Sequence, residues 1–228
     1  MSSNHGHHHD HDHDHDHDHA HGHKHPHSPL APDDDDGYGR YEVLLQTAIR
    51  ELLDEKGIIT AAELHAQIDK QDSLSPAIGG KIVAKAWVDP AFKKQLLAEP
   101  LKTINQHFEL DIVTPLELVV LENTPTVHNV VVCTLCSCYP RMLLGIPPAW
   151  YKSLDYRSRV VVEPRKVLAE FGTDIPNDIE VRVSDSTADL RFLVLPNRPS
   201  GTEGMSEAQL ANLVTRDSMI GTSVARQP

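Results

Sequence analysis

The sequence predicts a mixed α+β fold in which helices lie outside short strands. Two observations predict this class. Apolar residues recur at helical spacing between residues 41 and 98, so that they share one face of each helix. Short apolar runs bounded by turn residues follow at 116–121 and 129–132, and residues 179–183 alternate apolar and polar side chains, as strands do. A chain of 228 residues is long enough for one domain of some size plus appendages.

The part of the chain after residue 40 begins with helices. They are predicted over residues 41–57, 60–70, 79–88 and 89–98. Gly57 ends the first helix as a C-cap residue, and Thr60 with Glu63 forms the capping-box pattern at the start of the second. In a lone globular domain, such amphipathic helices cover the domain's own core, because their apolar faces must be buried.

The later part of the chain is predicted to combine strands with short helices. Loops are expected around Pro100 and Pro115. The strand at 179–183 is expected to pair with the apolar run at 191–196, which follows it closely. Further helices are expected at 148–152, from residue 155 or 164 through 171, and from 206 to about 213.

The first 40 residues are predicted to be a disordered tail and an acidic linker. Thirteen of the 16 histidines lie between His5 and His27, largely alternating with aspartate, and such a segment has almost nothing apolar to bury. Neutral imidazole binds divalent first-row metals, and the interleaved carboxylates attract cations. Either the tail captures cobalt or nickel ions for delivery, or it is a low-complexity segment with incidental metal affinity.

Charge and hydropathy argue against two classes of partner. Residues 1–36 carry −8 of the formal net charge of −12, and the remaining 20 basic and 24 acidic residues give only −4. This mild acidity argues against a nucleic-acid partner, which needs a basic face. The sequence has no apolar run of membrane-spanning length and no signal-peptide core at its N-terminus. We therefore expect a cytoplasmic protein without a membrane partner, whose cysteines stay reduced.

All three cysteines of the sequence, Cys133, Cys136 and Cys138, lie within six residues after the apolar run at 129–132. An odd number packed so tightly does not suit a disulfide framework, whereas thiolates are good ligands for soft metals. The alternatives are a structural zinc or three buried thiols. Zinc usually takes two separated pairs of ligands, and no second pair exists in this sequence.

The spacing of these cysteines favours a catalytic metal. If Cys136 and Cys138 bind one ion through sulfur, the amide nitrogens of Ser137 and Cys138 are held close to the same ion. The resulting five- and six-membered chelate rings suit a planar set of four donors, and neither nitrogen belongs to proline. Cys133 can then bind from one axial side, which leaves the opposite position open for water or substrate.

The run Cys133-Thr134-Leu135-Cys136-Ser137-Cys138-Tyr139-Pro140 resembles the metal claw of the nitrile hydratase α-subunit family. Threonine at position 134 resembles the cobalt-type members, whereas iron-type members carry serine there. The resemblance extends from about residue 41 to 221 through segments that include Lys85-Ala86-Trp87, Glu122-Asn123-Thr124, Trp150-Tyr151-Lys152, Glu163-Pro164-Arg165 and Thr215-Arg216-Asp217-Ser218.

The resemblance implies a domain organisation and a set of partners. It implies that residues 41–112 form a helical N-terminal arm that wraps a β-subunit, and that residues 113–228 form a four-layer α-β-β-α catalytic domain. The chain would be active only with that β-subunit, in a heterodimer or heterotetramer. A metal-delivery activator protein is a further implied partner.

The resemblance also implies the chemistry. One cobalt(III) ion per chain, with iron as the less favoured metal, would be held by Cys133, Cys136, Ser137 and Cys138. Acting as a Lewis acid, it would hydrate a small nitrile to an amide. Cys136 becomes a sulfinic acid and Cys138 a sulfenic acid in this family, while Cys133 stays a thiolate. Ser137 and Cys138 are the expected catalytic residues, and the Ser137 hydroxyl is expected to hold the attacking water.

Two alternatives remain at this point. Arg141-Met142 stands where nitrile hydratases usually have Trp-Pro, and in this respect the sequence is similar to the catalytic subunit of thiocyanate hydrolase. A non-catalytic metal-handling protein would explain the histidine tail but not the spacing of the cysteines.

The residues around the cysteines carry weaker expectations. His128 is expected in a core position, supporting the metal ligands indirectly at most. Surface ion pairs are the default expectation for Arg157, Arg159 and Arg165. The Thr134 hydroxyl is expected to anchor the axial sulfur. Asp185 and Ser186 are expected in a turn or an interface.

Overall fold

The computed structural model describes residues 40–72 and 74–228. The predicted disorder of the His/Asp-rich tail and its linker therefore concerns residues outside the described part of the chain. Within the described ranges, no helix combines the length and the apolar composition that a membrane crossing needs.

Helices and strands follow one another in blocks along the described chain, as expected for a mixed α+β fold. The helices are α1 (Arg40–Glu55), α2 (Ala61–Asp72), α3 (Ala77–Val88), α4 (Pro90–Ala98), α5 (Pro100–Phe108), α6 (Arg141–Leu144), α7 (Ala149–Lys152), α8 (Leu154–Arg159), α9 (Pro164–Glu170), α10 (Glu207–Ala211) and α11 (Arg216–Ile220). The strands are β1 (Glu117–Glu122), β2 (Val127–Val132), β3 (Glu180–Asp185) and β4 (Leu190–Leu195).

Local capping signals account for the helices that the sequence predicted. Thr60 accepts a hydrogen bond from the Glu63 amide, and Glu63 accepts one from the Thr60 amide, which completes the expected capping box before α2. Asp89 accepts from the Phe92 amide at the start of α4. The expectation of a loop around Pro100 was wrong. Pro100 is the first residue of α5, a position where its missing amide hydrogen costs no intrahelical bond.

The strands form two separate parallel pairs, β1 with β4 and β2 with β3. The expected pairing of the strand at 179–183 with the run at 191–196 was therefore wrong. Both segments are strands, but each pairs with a strand from before the cysteines. Apolar alternation reports which face of a strand is buried and carries no information about its neighbour. Parallel pairs also need long crossovers, and helices α6–α9 supply the one between β2 and β3.

One hydrophobic core joins the strands to helices on both sides. Phe92, Leu96 and Ile104 from α4 and α5 are buried together with Val130 and Val194 from β2 and β4. α4 and α5 pack on β1, whereas α9 packs on β3. The helices α3–α5 thus share the core of the strands.

The helices α1 and α2 differ from α3–α5 in exposure. Large apolar side chains of α1 are open to solvent, with Tyr41 70% and Leu44 65% exposed. Such a contiguous apolar face is unusual on the surface of a free domain and is typical of a contact surface.

A buried polar network fixes the start of β2. The Asn123 side-chain oxygen accepts from both the backbone and side-chain nitrogens of Asn129, which sets the orientation of its amide group. The Asn123 amide nitrogen therefore faces His128 Nδ1 at 3.3 Å as a donor. His128 Nε2 lies 2.7 Å from the Gly221 carbonyl oxygen, so Nε2 carries the proton and the ring is neutral.

The His128 network predicts a specific loss of stability in acid. Burial lowers the pKa of His128 below 6.5, although the hydrogen bond to Gly221 opposes the shift. The folded chain therefore binds a proton at His128 less readily than the unfolded chain does. The associated stability is complete above pH 6.5 and is lost as the pH falls towards the lowered pKa of the folded state. Urea unfolding at pH 7.5 and pH 5 should show a smaller loss for His128→Gln than for the unmodified chain. Equal losses would contradict this account.

Candidate metal centre

The three cysteines lie in a short loop between β2 and α6, called here the cysteine loop (residues 133–138). β2 is buried along most of its length and ends at Val132, directly before Cys133. Pro140 lies at the other end of the loop, just before the first residue of α6. The loop is therefore held at one end by a core strand and at the other by a helix.

The sulfur atoms converge on one point. Cys133 Sγ lies 3.5 Å from Cys136 Sγ, and Cys136 Sγ lies 3.3 Å from Cys138 Sγ. All three lie within 4.8 Å of one another, and no other group of three such ligands is found in the part of the chain that the structure describes. Cys133 is buried, Cys138 is half-buried and Cys136 is exposed, so the cluster opens outwards. Ser137 is half-buried between them.

Without a cation, the three thiols resist losing their protons together. Hydrogen bonds from the thiols of Cys138 and Cys133, and then from the backbone amides of Ser137 and Cys138, lower the pKa of Cys136. Burial and the other two thiols raise the pKa of Cys138 to about 12. The opposite directions mean that one negative charge is tolerated at Cys136 and a second is not. A metal cation would remove this penalty, because coordination deprotonates thiols outright.

The donor set fits a metal. The backbone amides of Ser137 and Cys138 lie close enough to the Cys136 sulfur to lower its pKa, as a chelate through these nitrogens requires. Thiolate ligands suit soft or borderline metal ions. The residues present therefore match the expected set of three sulfurs and two amide nitrogens.

Thr134 is fixed by two charged side chains from other elements. Its amide nitrogen donates to Asp185 Oδ1 at 2.9 Å and its hydroxyl donates to Asp185 Oδ2 at 2.6 Å. Its carbonyl oxygen accepts from Arg157 Nη1 at 3.3 Å. All three polar groups of Thr134 are therefore used. The expectation that its hydroxyl anchors the axial sulfur was wrong, because the carboxylate of Asp185 takes that proton. Arg157 likewise binds the cysteine loop, and its expected surface ion pair was wrong.

Two buried tyrosines hold the backbone on either side of the cysteines. Tyr156 donates to the Val131 carbonyl at 2.7 Å, and Tyr151 donates to the Cys138 carbonyl at 2.9 Å. Their rings pack edge-on against Trp150 and Phe171 beneath the loop. Burial raises the pKa of both hydroxyls, so they remain donors. No local pattern in the sequence pointed to these residues as supports, because they follow the loop by more than ten positions.

The remaining predicted neighbours have structural roles. His128 is a core residue, as expected, and its hydrogen bonds go to Asn123 and Gly221. Arg159 forms the expected ion pairs, with Glu163 and Glu170. Arg165 instead donates to the carbonyls of Ile175, Pro176 and Ile179.

Comparison with known proteins identifies the family. A family model described as nitrile hydratase, alpha chain, matches residues 41–223. The alpha subunit of the low-molecular-weight cobalt-containing nitrile hydratase of Rhodococcus rhodochrous is 50% identical over 182 residues, which cover 79% of this chain and 87% of that protein. Subunit gamma of the thiocyanate hydrolase of Thiobacillus thioparus is 44% identical over 193 residues, covering 80% of this chain and 79% of that one.

A solved structure supports the same relationship. A double mutant of the Fe-type nitrile hydratase from Comamonas testosteroni Ni1 superposes with a TM-score of 0.76 at 45% identity, covering 82% of this chain and 92% of that chain. The match therefore spans the helices, the strands and the cysteine loop together. The chain belongs to the nitrile hydratase α-chain family.

Proposed function

We propose that this chain is the α-subunit of a cobalt nitrile hydratase, which adds water to a small nitrile to give an amide. The observation that carries the proposal is the convergence of the three cysteine sulfurs within 4.8 Å of one another. The high identity to α-subunits with cobalt in their names supports it.

The proposed metal is one cobalt(III) ion per chain, held by Cys133, Cys136, the amide nitrogen of Ser137, and Cys138. Once bound, it supplies a Lewis acid that activates the nitrile or lowers the pKa of a water. Iron is the alternative metal, because a structural relative is an Fe-type nitrile hydratase. Threonine at position 134 resembles the cobalt-type members and favours cobalt.

The residues of this chain orient the reactants. The half-buried Ser137 hydroxyl holds the attacking water, whose oxygen bonds to the nitrile carbon while one water proton passes to the oxidised side chain of Cys138, which returns it to the nitrile nitrogen. Transfer of the second water proton to nitrogen then gives the amide. In this proposal Cys136 is a sulfinic and Cys138 a sulfenic acid, whose oxygens need cationic donors. Arg191 on β4 already acts on Cys138, where its charge lowers the pKa against the larger effect of burial.

The proposed partner is the β-subunit, in a heterodimer or heterotetramer in the cytoplasm. The exposed apolar face of α1 fits an arm that wraps a second chain. The division into an arm at residues 41–112 and a catalytic domain at residues 113–228 is part of the same proposal. Leu135 in the cysteine loop is 85% exposed, and Leu154 and Val162 nearby in sequence are 66% and 81% exposed. A four-layer α-β-β-α domain, a metal-delivery activator and metal capture by the histidine tail belong to the same proposal.

Removal of Cys136 should abolish stoichiometric metal binding, because it opens a second coordination position and breaks the six-membered chelate ring. The test uses chains that lack residues 1–36, so that the tail histidines bind no cobalt. The truncated chain, produced with its partner and cobalt, should keep one cobalt per chain by elemental analysis, and Cys136→Ala should keep almost none. A truncated chain that loses its cobalt would instead support a metal-handling protein. Full metal and activity in Cys136→Ala would refute the proposed coordination.

The Asp185 carboxylate should matter although it touches no sulfur. In Asp185→Asn one acceptor becomes a donor, so Thr134 loses one of its two hydrogen bonds to this side chain. Changes to groups that orient metal ligands typically cost about 10–100-fold in metal affinity or activity, and we expect a loss in that range. The matched control is Asp189→Asn, an exposed carboxylate four residues further on. Equal nitrile hydration by both variants would show that the contact with Thr134 is dispensable.

Arg141 is the position at which this sequence departs from the usual nitrile hydratase pattern and resembles thiocyanate hydrolase. Its side chain is exposed at the first turn of α6, three residues after Cys138, where it can face either a partner or the pocket. We place it at the partner interface, where arginine is common. Arg141→Trp should then leave nitrile hydration within about tenfold, which corresponds to about 1.4 kcal/mol. If the unmodified assembly hydrolyses thiocyanate and no simple nitrile, the chain is instead the catalytic subunit of a thiocyanate hydrolase.

A further inference from the structure

The hydroxyl of Ser186 is a buried polar group without a partner. Ser186 is 2% exposed, and its Oγ has no hydrogen-bond partner among the residues that the structure describes. Buried hydroxyls of folded proteins almost always bond to something. The hydroxyl of Ser186, the first residue beyond β3, is therefore available to donate to a further acceptor.

Strand register places Ser186 beside Cys133. Val132 pairs with Asp185 at the end of the β2–β3 ladder, and the Ser186 amide continues the ladder by donating to the Val132 carbonyl at 2.7 Å. The next neighbours across the ladder are Cys133 and Ser186. Paired strands lie about 4.8 Å apart, and side chains at matching positions point to the same face of a sheet. Both side chains are buried, Cys133 completely.

The environment of Tyr151 supports this placement. Its hydroxyl donates to the Cys138 carbonyl at 2.9 Å and lies near the Ser186 hydroxyl, although those two hydroxyls are not in hydrogen-bond geometry. Tyr151 and Ser186 therefore lie on the same buried side of the cysteine loop.

We propose that the Ser186 hydroxyl donates a hydrogen bond to the sulfur of Cys133 when that sulfur binds the metal as a thiolate. This inference rests on the metal centre proposed above and adds Ser186 as a positioning residue. The sulfur already accepts from the Cys136 amide at 3.4 Å and can accept a second donor. Tyr151 Oη is the competing acceptor. A thiolate is the stronger one, because hydrogen bonds to charged groups are about twice as strong as those between neutral groups.

The hydrogen bond has a chemical consequence. A donor to the axial thiolate withdraws electron density from the sulfur, so the sulfur gives less of it to the metal. The metal then remains a stronger Lewis acid at its open position. Loss of the donor should weaken activation of the substrate without changing how the substrate is recognised.

The test uses the full chain assembled with its partner subunit and loaded with cobalt. Ser186→Ala should bind one cobalt per chain, shift the sulfur-to-metal charge-transfer absorption to longer wavelength, and lower kcat about tenfold with KM unchanged. Ser186→Thr keeps the hydroxyl and should restore the absorption and most of kcat. Ser184→Ala removes a hydroxyl from β3, two residues before Ser186, and should behave as the unmodified enzyme.

Three results would overturn the inference. An unshifted absorption band in Ser186→Ala is the first. The second is a band that shifts equally in Tyr151→Phe and does not shift further when Ser186→Ala is added, because Ser186 would then act through Tyr151. The third is a D2O shift of the metal–sulfur vibrations that is as large in Ser186→Ala as in the unmodified enzyme, because the Cys136 amide would then account for it. If the unmodified assembly hydrates nitriles normally, these results refute only the role of Ser186. If it binds no cobalt, the metal centre itself is wrong.

Discussion

The parallel pairing of β2 with β3 is the constraint on which the rest of the site depends. This pairing ends at Val132 and Asp185, so the cysteine loop and Ser186 directly follow two neighbouring strands at the same end of the sheet. Asp185 can then bind the Thr134 amide and hydroxyl, and Ser186 follows Asp185 where Cys133 follows Val132. A slip of one residue would turn each side chain to the opposite face and separate these pairs. The long crossover through α6–α9 is what this parallel register requires, and it also carries Tyr151, Tyr156 and Arg157 to the loop.

Hydrogen bonds hold the backbone of the cysteine loop, whereas its thiols oppose one another's ionisation. Side chains from α7, α8 and β3 bind carbonyls or amides at Val131, Thr134 and Cys138. None of these bonds uses up a sulfur. The thiols meanwhile oppose one another, since a charge on Cys136 makes ionisation of Cys138 harder. A loop that is fixed in shape while its sulfurs remain free is the arrangement that a cation would complete with little reorganisation.

Sequence reasoning succeeded where the information is local. The candidate ligands lie within six consecutive residues, so spacing alone suggested a metal, and the helix α2 was visible in Thr60 and Glu63. It failed where the information is distant. Asp185 binds Thr134 across 51 positions, and Arg157 across 23, and no feature of either residue distinguishes it from a surface charge. The partners of β3 and β4 were missed for the same reason, because alternation shows burial without naming a neighbour.

The cysteine loop has an inner and an outer side, and this asymmetry explains why a second chain belongs to the proposal. The inner side is closed, because Cys133 is fully buried and the buried Tyr151 and Tyr156 bind the backbone at Cys138 and Val131. The outer side is open, with Cys136 exposed and Leu135 85% exposed. A Lewis acid acts best in a site that excludes water, because a low dielectric strengthens its field. An open outer side would leave the substrate in bulk solvent. In the proposed function, this chain builds the half of the site that holds the metal, and the partner subunit covers Leu135 and supplies the half that shields the substrate.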